Sequence, residues 1–112
     1  EGLGGRYITA EDVGTSIKDM DHVRMETKYV TGISKSLGGS GDPSLLTSFG
    51  TYLGIKASVK FKYKKDSLDG LSIVVQGLGS VGMELVKYLS QDGMKIFAYD
   101  IDADRLNLAK KE

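Results

Sequence analysis

Leu71-Ser72-Ile73-Val74-Val75-Gln76-Gly77-Leu78-Gly79-Ser80-Val81-Gly82 is the stretch on which the fold turns. Its first half is a short, β-branched apolar run, the composition of a strand buried on both faces in a parallel sheet. Its second half is G-x-G-x-x-G with all three glycines in place. Beyond it, Val81, Leu85, Tyr88 and Leu89 recur at helical spacing, and Gly93 suits the end of that helix. Residues 94–99, Met-Lys-Ile-Phe-Ala-Tyr, read as a second strand, and Asp100 closes it 18 residues after Gly82. Asp102 then caps a run of helix formers. Strand, helix, strand and helix predict an α/β fold, the first βαβα portion of a Rossmann dinucleotide-binding domain.

Each residue of the turn has a physical reason to be there. Gly77 permits the tight exit from the strand. Gly79 has no side chain, so a pyrophosphate can approach the backbone, and Gly82 lets the helix pack closely on the sheet. Leu78, Ser80 and Val81 complete the turn, and the helix N-terminus offers unpaired N–H groups and partial positive charge to phosphates. Asp100 is placed to accept hydrogen bonds from the adenosine ribose hydroxyls. Its carboxylate repels a 2′-phosphate, which favours NAD over NADP. Ile101 and Asp102 add no cation; Arg105 comes five positions later. A lone glycine motif also describes a bare strand-to-helix turn. Here the strand before it, the helix after it and the acid at the next strand end favour the dinucleotide.

Upstream, Gly2, Gly4 and Gly5 precede Arg6-Tyr7-Ile8, a candidate short strand, and residues 11–15 read as a loop. Ser16 to Thr27 reads as a helix capped by Ser16 with Asp19 three residues on. Residues 30–33 read as extended, and Gly38 to Pro43 as a loop. Pro43 suits a first helical turn, and Ser44 to Tyr63 reads as a long helix whose Gly50, Gly54 and Ala57 allow close packing. The polar run ending in Asp69-Gly70 is a loop, and the domain boundary is expected there, dividing residues 1–66 from 67–112.

Composition narrows the function classes. Fifteen basic and fifteen acidic residues balance, whereas a nucleic-acid partner would favour a basic excess. No apolar run approaches a membrane span, and no signal segment opens the chain. Cysteine is absent, which excludes disulfides, thiolate metal sites and thiol nucleophiles, and fits a cytoplasmic protein. The chain opens at Glu1 rather than Met and stops within a helical pattern, so it is expected to be a piece of a longer protein.

Residues 5–15, Gly-Arg-Tyr-Ile-Thr-Ala-Glu-Asp-Val-Gly-Thr, together with Tyr29-Val30-Thr31-Gly32-Ile33 and Gly39-Ser40-Gly41-Asp42-Pro43-Ser44 running into Thr47-Ser48-Phe49-Gly50, resemble signatures of the glutamate/leucine/phenylalanine/valine dehydrogenase family. The Gly77–Gly82 turn follows at the expected distance, and the resemblance runs through essentially the whole chain. It implies the end of a substrate domain followed by the start of an NAD domain, with the reaction cleft between them. It implies oxidative deamination of a branched-chain or aromatic L-amino acid to the 2-oxo acid and ammonia. Asp12 matches the family's catalytic aspartate, which moves protons to and from the amino nitrogen; that task needs a carboxyl pKa raised by burial. Thr47 matches a threonine near the nicotinamide carboxamide. The two lysines of the family mechanism belong to an upstream segment outside this chain, so the 112 residues alone are expected to be inactive and marginally stable. The family also implies a homo-oligomer. The competing readings are a non-catalytic, redox-sensing dinucleotide module, which has no need of Asp12 and its surroundings, and a Rossmann enzyme using another dinucleotide or S-adenosylmethionine.

Overall fold

The computed structural model describes residues 2–111. It divides into two compact units, Glu1–Pro43 and Ser44–Glu112.

The first unit is mostly turns and loops around one helix, α1 (Ile17–Glu26), and a 3₁₀ turn at Lys35–Leu37. Helix α1 begins where its capping residues predict. The Asp19 carboxylate accepts from the Ser16 N–H at 2.7 Å and from the Ser16 hydroxyl at 2.6 Å. These two bonds hold the Asp19 pKa below the ordinary aspartate value. The strand expected at residues 6–8 is replaced by one parallel bridge, Thr9 to Val30, made by the Thr9 N–H to the Tyr29 carbonyl and the Thr31 N–H to the Thr9 carbonyl. The preceding glycines explain the difference: Gly4 and Gly5 take φ of 56° and 84°, and the chain turns where a strand would need to run straight. Met20, Val30 and Ile33 form a small core with Val23 against it. The Ser34 N–H bonds Asp21 Oδ1 at 2.8 Å, which ties the loop after Ile33 back to α1.

The second unit holds α2 (Ser44–Tyr63), β1 (Ser72–Gln76), α3 (Ser80–Gln91), β2 (Lys95–Tyr99) and α4 (Ala103–Ala109). Helix α2 starts directly after Pro43. It stops where Lys64 turns left-handed, φ 56°, with its N–H bonded to the Lys60 carbonyl. The two strands are parallel, in register from Ser72 opposite Lys95 to Gln76 opposite Tyr99. Leu68, Val75, Leu78, Leu85, Val86 and Leu89 form the core. Helix α2 packs on α3 through Phe49, Tyr52 and Tyr88, whose rings lie 5.4–6.0 Å apart. Beside them the Tyr52 hydroxyl donates to Asp92 at 2.6 Å, and Lys56 closes the group at 3.2 Å from the same oxygen. Helix α2 thus packs on α3 within the second unit.

Of the two faces of the strand pair, the one carrying Ile73, Val75, Ile96 and Ala98 joins the core. On the other face Val74, Phe97 and Tyr99 are 72%, 51% and 58% exposed. The helices of this unit cover one side of the strand pair, and an apolar strand composition reports that cover is needed without supplying it. Among the described residues no helix is long and apolar enough to cross a membrane.

Candidate functional site

The glycine turn follows β1. Gly77 takes φ 93°, a left-handed conformation that disfavours any side chain, and its N–H donates to the Tyr99 carbonyl at 2.8 Å. Leu78 points into the core and is buried. Gly79 is the N-cap of α3, with no side chain capping the helix and no acidic residue in its first turn. Ser80 is exposed there, and Val81 and Gly82 are half-buried.

The three glycines answer to different constraints. A side chain at Gly77 would be strained by its backbone. A Cβ at Gly82 would collide with the Gly77 carbonyl oxygen. A Cβ at Gly79 would meet no atom within 4 Å, and its backbone (φ −70°, ψ −167°) is open to any residue. Among the described residues nothing requires glycine at 79. The open space lies at the uncapped, positively polarised start of α3, where an anion gains most. The residues present therefore fit the diphosphate of a dinucleotide.

Asp100 lies against this turn. It is 9% exposed, Oδ2 accepts from the Leu78 N–H at 2.6 Å, and Oδ1 accepts from the Asp102 N–H at 2.9 Å. These two donors, the Leu78 amide foremost, hold its carboxyl pKa below the ordinary value, with the nearby Arg105 charge adding to them. An ionised carboxylate offers about four acceptor positions, so capacity remains for two ribose hydroxyls. Asp102 caps α4, accepting from the Asp104 N–H at 2.9 Å and the Arg105 N–H at 3.4 Å. The Arg105 guanidinium returns toward both acids, 3.4 Å from Asp102 Oδ2 and 4.0 Å from Asp100 Oδ2.

Thr47 is exposed on the first half of α2. Its carbonyl accepts from the Thr51 hydroxyl at 2.8 Å, while its own hydroxyl makes no hydrogen bond among the described residues. Asp12 lies in the first unit and opens a turn closed by Thr15. The Thr15 N–H and hydroxyl both bond the Asp12 carbonyl, and the Asp12 N–H bonds the Thr15 hydroxyl at 2.9 Å. The Asp12 carboxylate is exposed and takes the Val13 N–H at 2.7 Å. Beside it, Glu11 Oε2 is buried without a hydrogen-bond partner among the described residues. Sequence reasoning passed over Glu11, although its place next to Asp12 in Glu11-Asp12-Val13-Gly14 was a signal. It also missed that Asp100 fastens the turn: its distance from Gly82 was legible, its bond to the Leu78 amide was not.

No family model matches the chain. It is 48% identical over 112 residues to the leucine dehydrogenase of Thermoactinomyces intermedius, covering 100% of the chain and 31% of that enzyme. It is 44% identical over 105 residues to the valine dehydrogenase of Streptomyces virginiae, covering 94% of the chain and 29% of that protein. The crystal structure of L-tryptophan dehydrogenase from Nostoc punctiforme superposes with a TM-score of 0.73 at 35% identity, over 98% of the chain and 30% of that structure. The chain thus spans about 30% of the length of the proteins it matches. Along its whole length, in sequence and in fold, the chain is homologous to a segment of these amino-acid dehydrogenases.

Proposed function

We propose that the intact protein is an NAD-dependent dehydrogenase that oxidatively deaminates a branched-chain or aromatic L-amino acid to its 2-oxo acid and ammonia. In this reading residues 1–66 end the substrate domain and include the connecting helix α2, and residues 67–112 begin the cofactor domain. A bound nicotinamide would supply the acceptor for the hydride of the substrate α-carbon. The chain's own part is to hold and orient. The Gly77–Gly82 turn and the start of α3 receive the diphosphate, Asp100 the adenosine ribose, and the Thr47 hydroxyl the carboxamide. The Asp12 carboxylate exchanges a proton with the substrate nitrogen, and the turn closed by Thr15 fixes where that carboxylate stands. By the same family resemblance the protein works in the cytoplasm as a homo-oligomer.

The observation that carries the cofactor half is Gly79: it is a glycine that nothing among the described residues requires, beside a helix end that no side chain caps. Gly79→Ala tests it in the intact protein. Binding of NAD⁺, followed by calorimetric titration, is expected to weaken by about tenfold or more as the methyl occupies the phosphate space. The melting temperature should hold or rise slightly, because alanine fits this backbone and restrains the unfolded chain. Unchanged NAD⁺ affinity would overturn the assignment. A screen of leucine, valine and phenylalanine for NADH formation tests the reaction; no turnover with any of them would count against it.

A further inference from the structure

We propose that Asp102 and Arg105 form a latch that decides which dinucleotide the site accepts, with Asp102 engaging an arginine that would otherwise receive a 2′-phosphate. The proposal rests on the dinucleotide reading above and concerns the ribose end of that site.

Between residues 100 and 109 there are three carboxylates, Asp100, Asp102 and Asp104, and one cation, Arg105. The Arg105 side chain is half-exposed, and its guanidinium turns back toward two of these acids. It lies 3.4 Å from Asp102 Oδ2 and reaches within 4.0 Å of Asp100 Oδ2, the oxygen that also holds the Leu78 amide. Arg105 therefore already stands at the carboxylate assigned to the ribose. Its planar fork is the side chain best matched to a phosphate. To reach a 2′-phosphate it must leave Asp102, and the phosphate must then sit beside two ionised acids. Both effects favour a plain ribose. Neutralising Asp102 releases the arginine and removes one repelling charge, so both effects shift toward the phosphorylated ribose. Asp100 alone would repel a 2′-phosphate too; the latch adds that the remedy is already present, three residues after Asp102.

Asp102→Asn is the informative variant, because asparagine caps a helix as well as aspartate does and keeps an oxygen for the Asp104 and Arg105 amides. Dissociation constants for NAD⁺ and NADP⁺ are measured on the intact wild-type protein, on D102N, on R105Q and on D102N/R105Q. In D102N the preference for NAD⁺ over NADP⁺ should narrow by about tenfold, the worth of one charge-assisted bond to phosphate. In D102N/R105Q most of that gain should disappear, leaving the smaller part due to the lost Asp102 charge, and R105Q alone should leave NAD⁺ affinity within about twofold of wild type. A preference unchanged in D102N, or a gain just as large without Arg105, overturns the latch. A wild-type protein that binds neither dinucleotide overturns the underlying reading, and the latch with it.

Discussion

Asp12 and Asp100 are both aspartates close to a glycine turn, and the protein treats them in opposite ways. Asp100 is 9% exposed and receives two backbone amides from two different turns. Its position is determined by β1, β2 and the residues directly after them. Asp12 is exposed, and the one bond to its carboxylate comes from the next residue, Val13. Next to it the buried Glu11 oxygen lacks a donor among the described residues. The ribose end of the proposed site is thus self-contained within one βαβα unit, whereas the proton-transfer end leaves polar groups that its own turn does not satisfy. Burial of Asp12, which its proposed chemistry requires, has to come from groups outside this turn.

That contrast predicts opposite signatures for mutations in the two regions. In the intact protein Asp12→Asn should reduce kcat by about 10²–10⁴-fold, the usual worth of a positioned acid–base group. Its melting temperature should scarcely move, because the turn is held by backbone groups and Thr15. Parallel deamination kinetics and thermal melts check this, and a large loss of stability with activity retained would reverse the roles. Gly82→Ala should do the reverse. The added Cβ meets the Gly77 carbonyl oxygen, and backbone on both sides leaves little room to relax. A loss of about 2–4 kcal/mol in urea denaturation is expected, in the range of severe overpacking. Full stability in that variant would mean that the turn opens freely, and the distinction between Gly79 and Gly82 would fail.

The same division explains how much could be read from the residues. The βαβα segment was legible because every decision in it is local: β-branched runs, three glycines, an acid at a strand end, an N-cap at Asp102. Helix α2 was legible from Pro43 at one end and the polar run after Tyr63 at the other. The first unit was less so. There the Thr9–Val30 bridge joins residues twenty-one apart, and no period announces it. Asp12 carries no local signal of catalysis at all; only the family resemblance singles it out. The exposed Val74 and Phe97 mark another limit, since composition records that a strand face is apolar but not which element covers it. The Arg105 contacts were illegible for a simpler reason: a flexible side chain's direction is decided by its partners, and spacing along the chain does not reveal them.

The subtlest test of the comparison is pH. The Asp100 carboxyl has its pKa lowered from 3.8 in the folded protein, chiefly by the Leu78 amide and then by that of Asp102. A group whose folded value is depressed stabilises the fold at pH above its unfolded value, and that contribution is lost as pH falls through the folded value. Between the two values the unfolded chain binds the extra proton, so stability rises with pH across that window. Asp100→Asn removes the titrating group while its carboxamide oxygen can still accept one of the two amides. Urea midpoints measured from about pH 2 to pH 7 should therefore show the variant weaker than wild type near neutrality, with the gap closing in acid. Asp19 and Asp92 are also depressed, by Ser16 and by Tyr52 with Lys56, and they remain in the variant. Its acid limb should consequently flatten rather than vanish. An acid limb identical to that of wild type would mean that the two amides on Asp100 contribute nothing to the fold, and Asp100 would lose its place as the carboxylate that fastens the glycine turn.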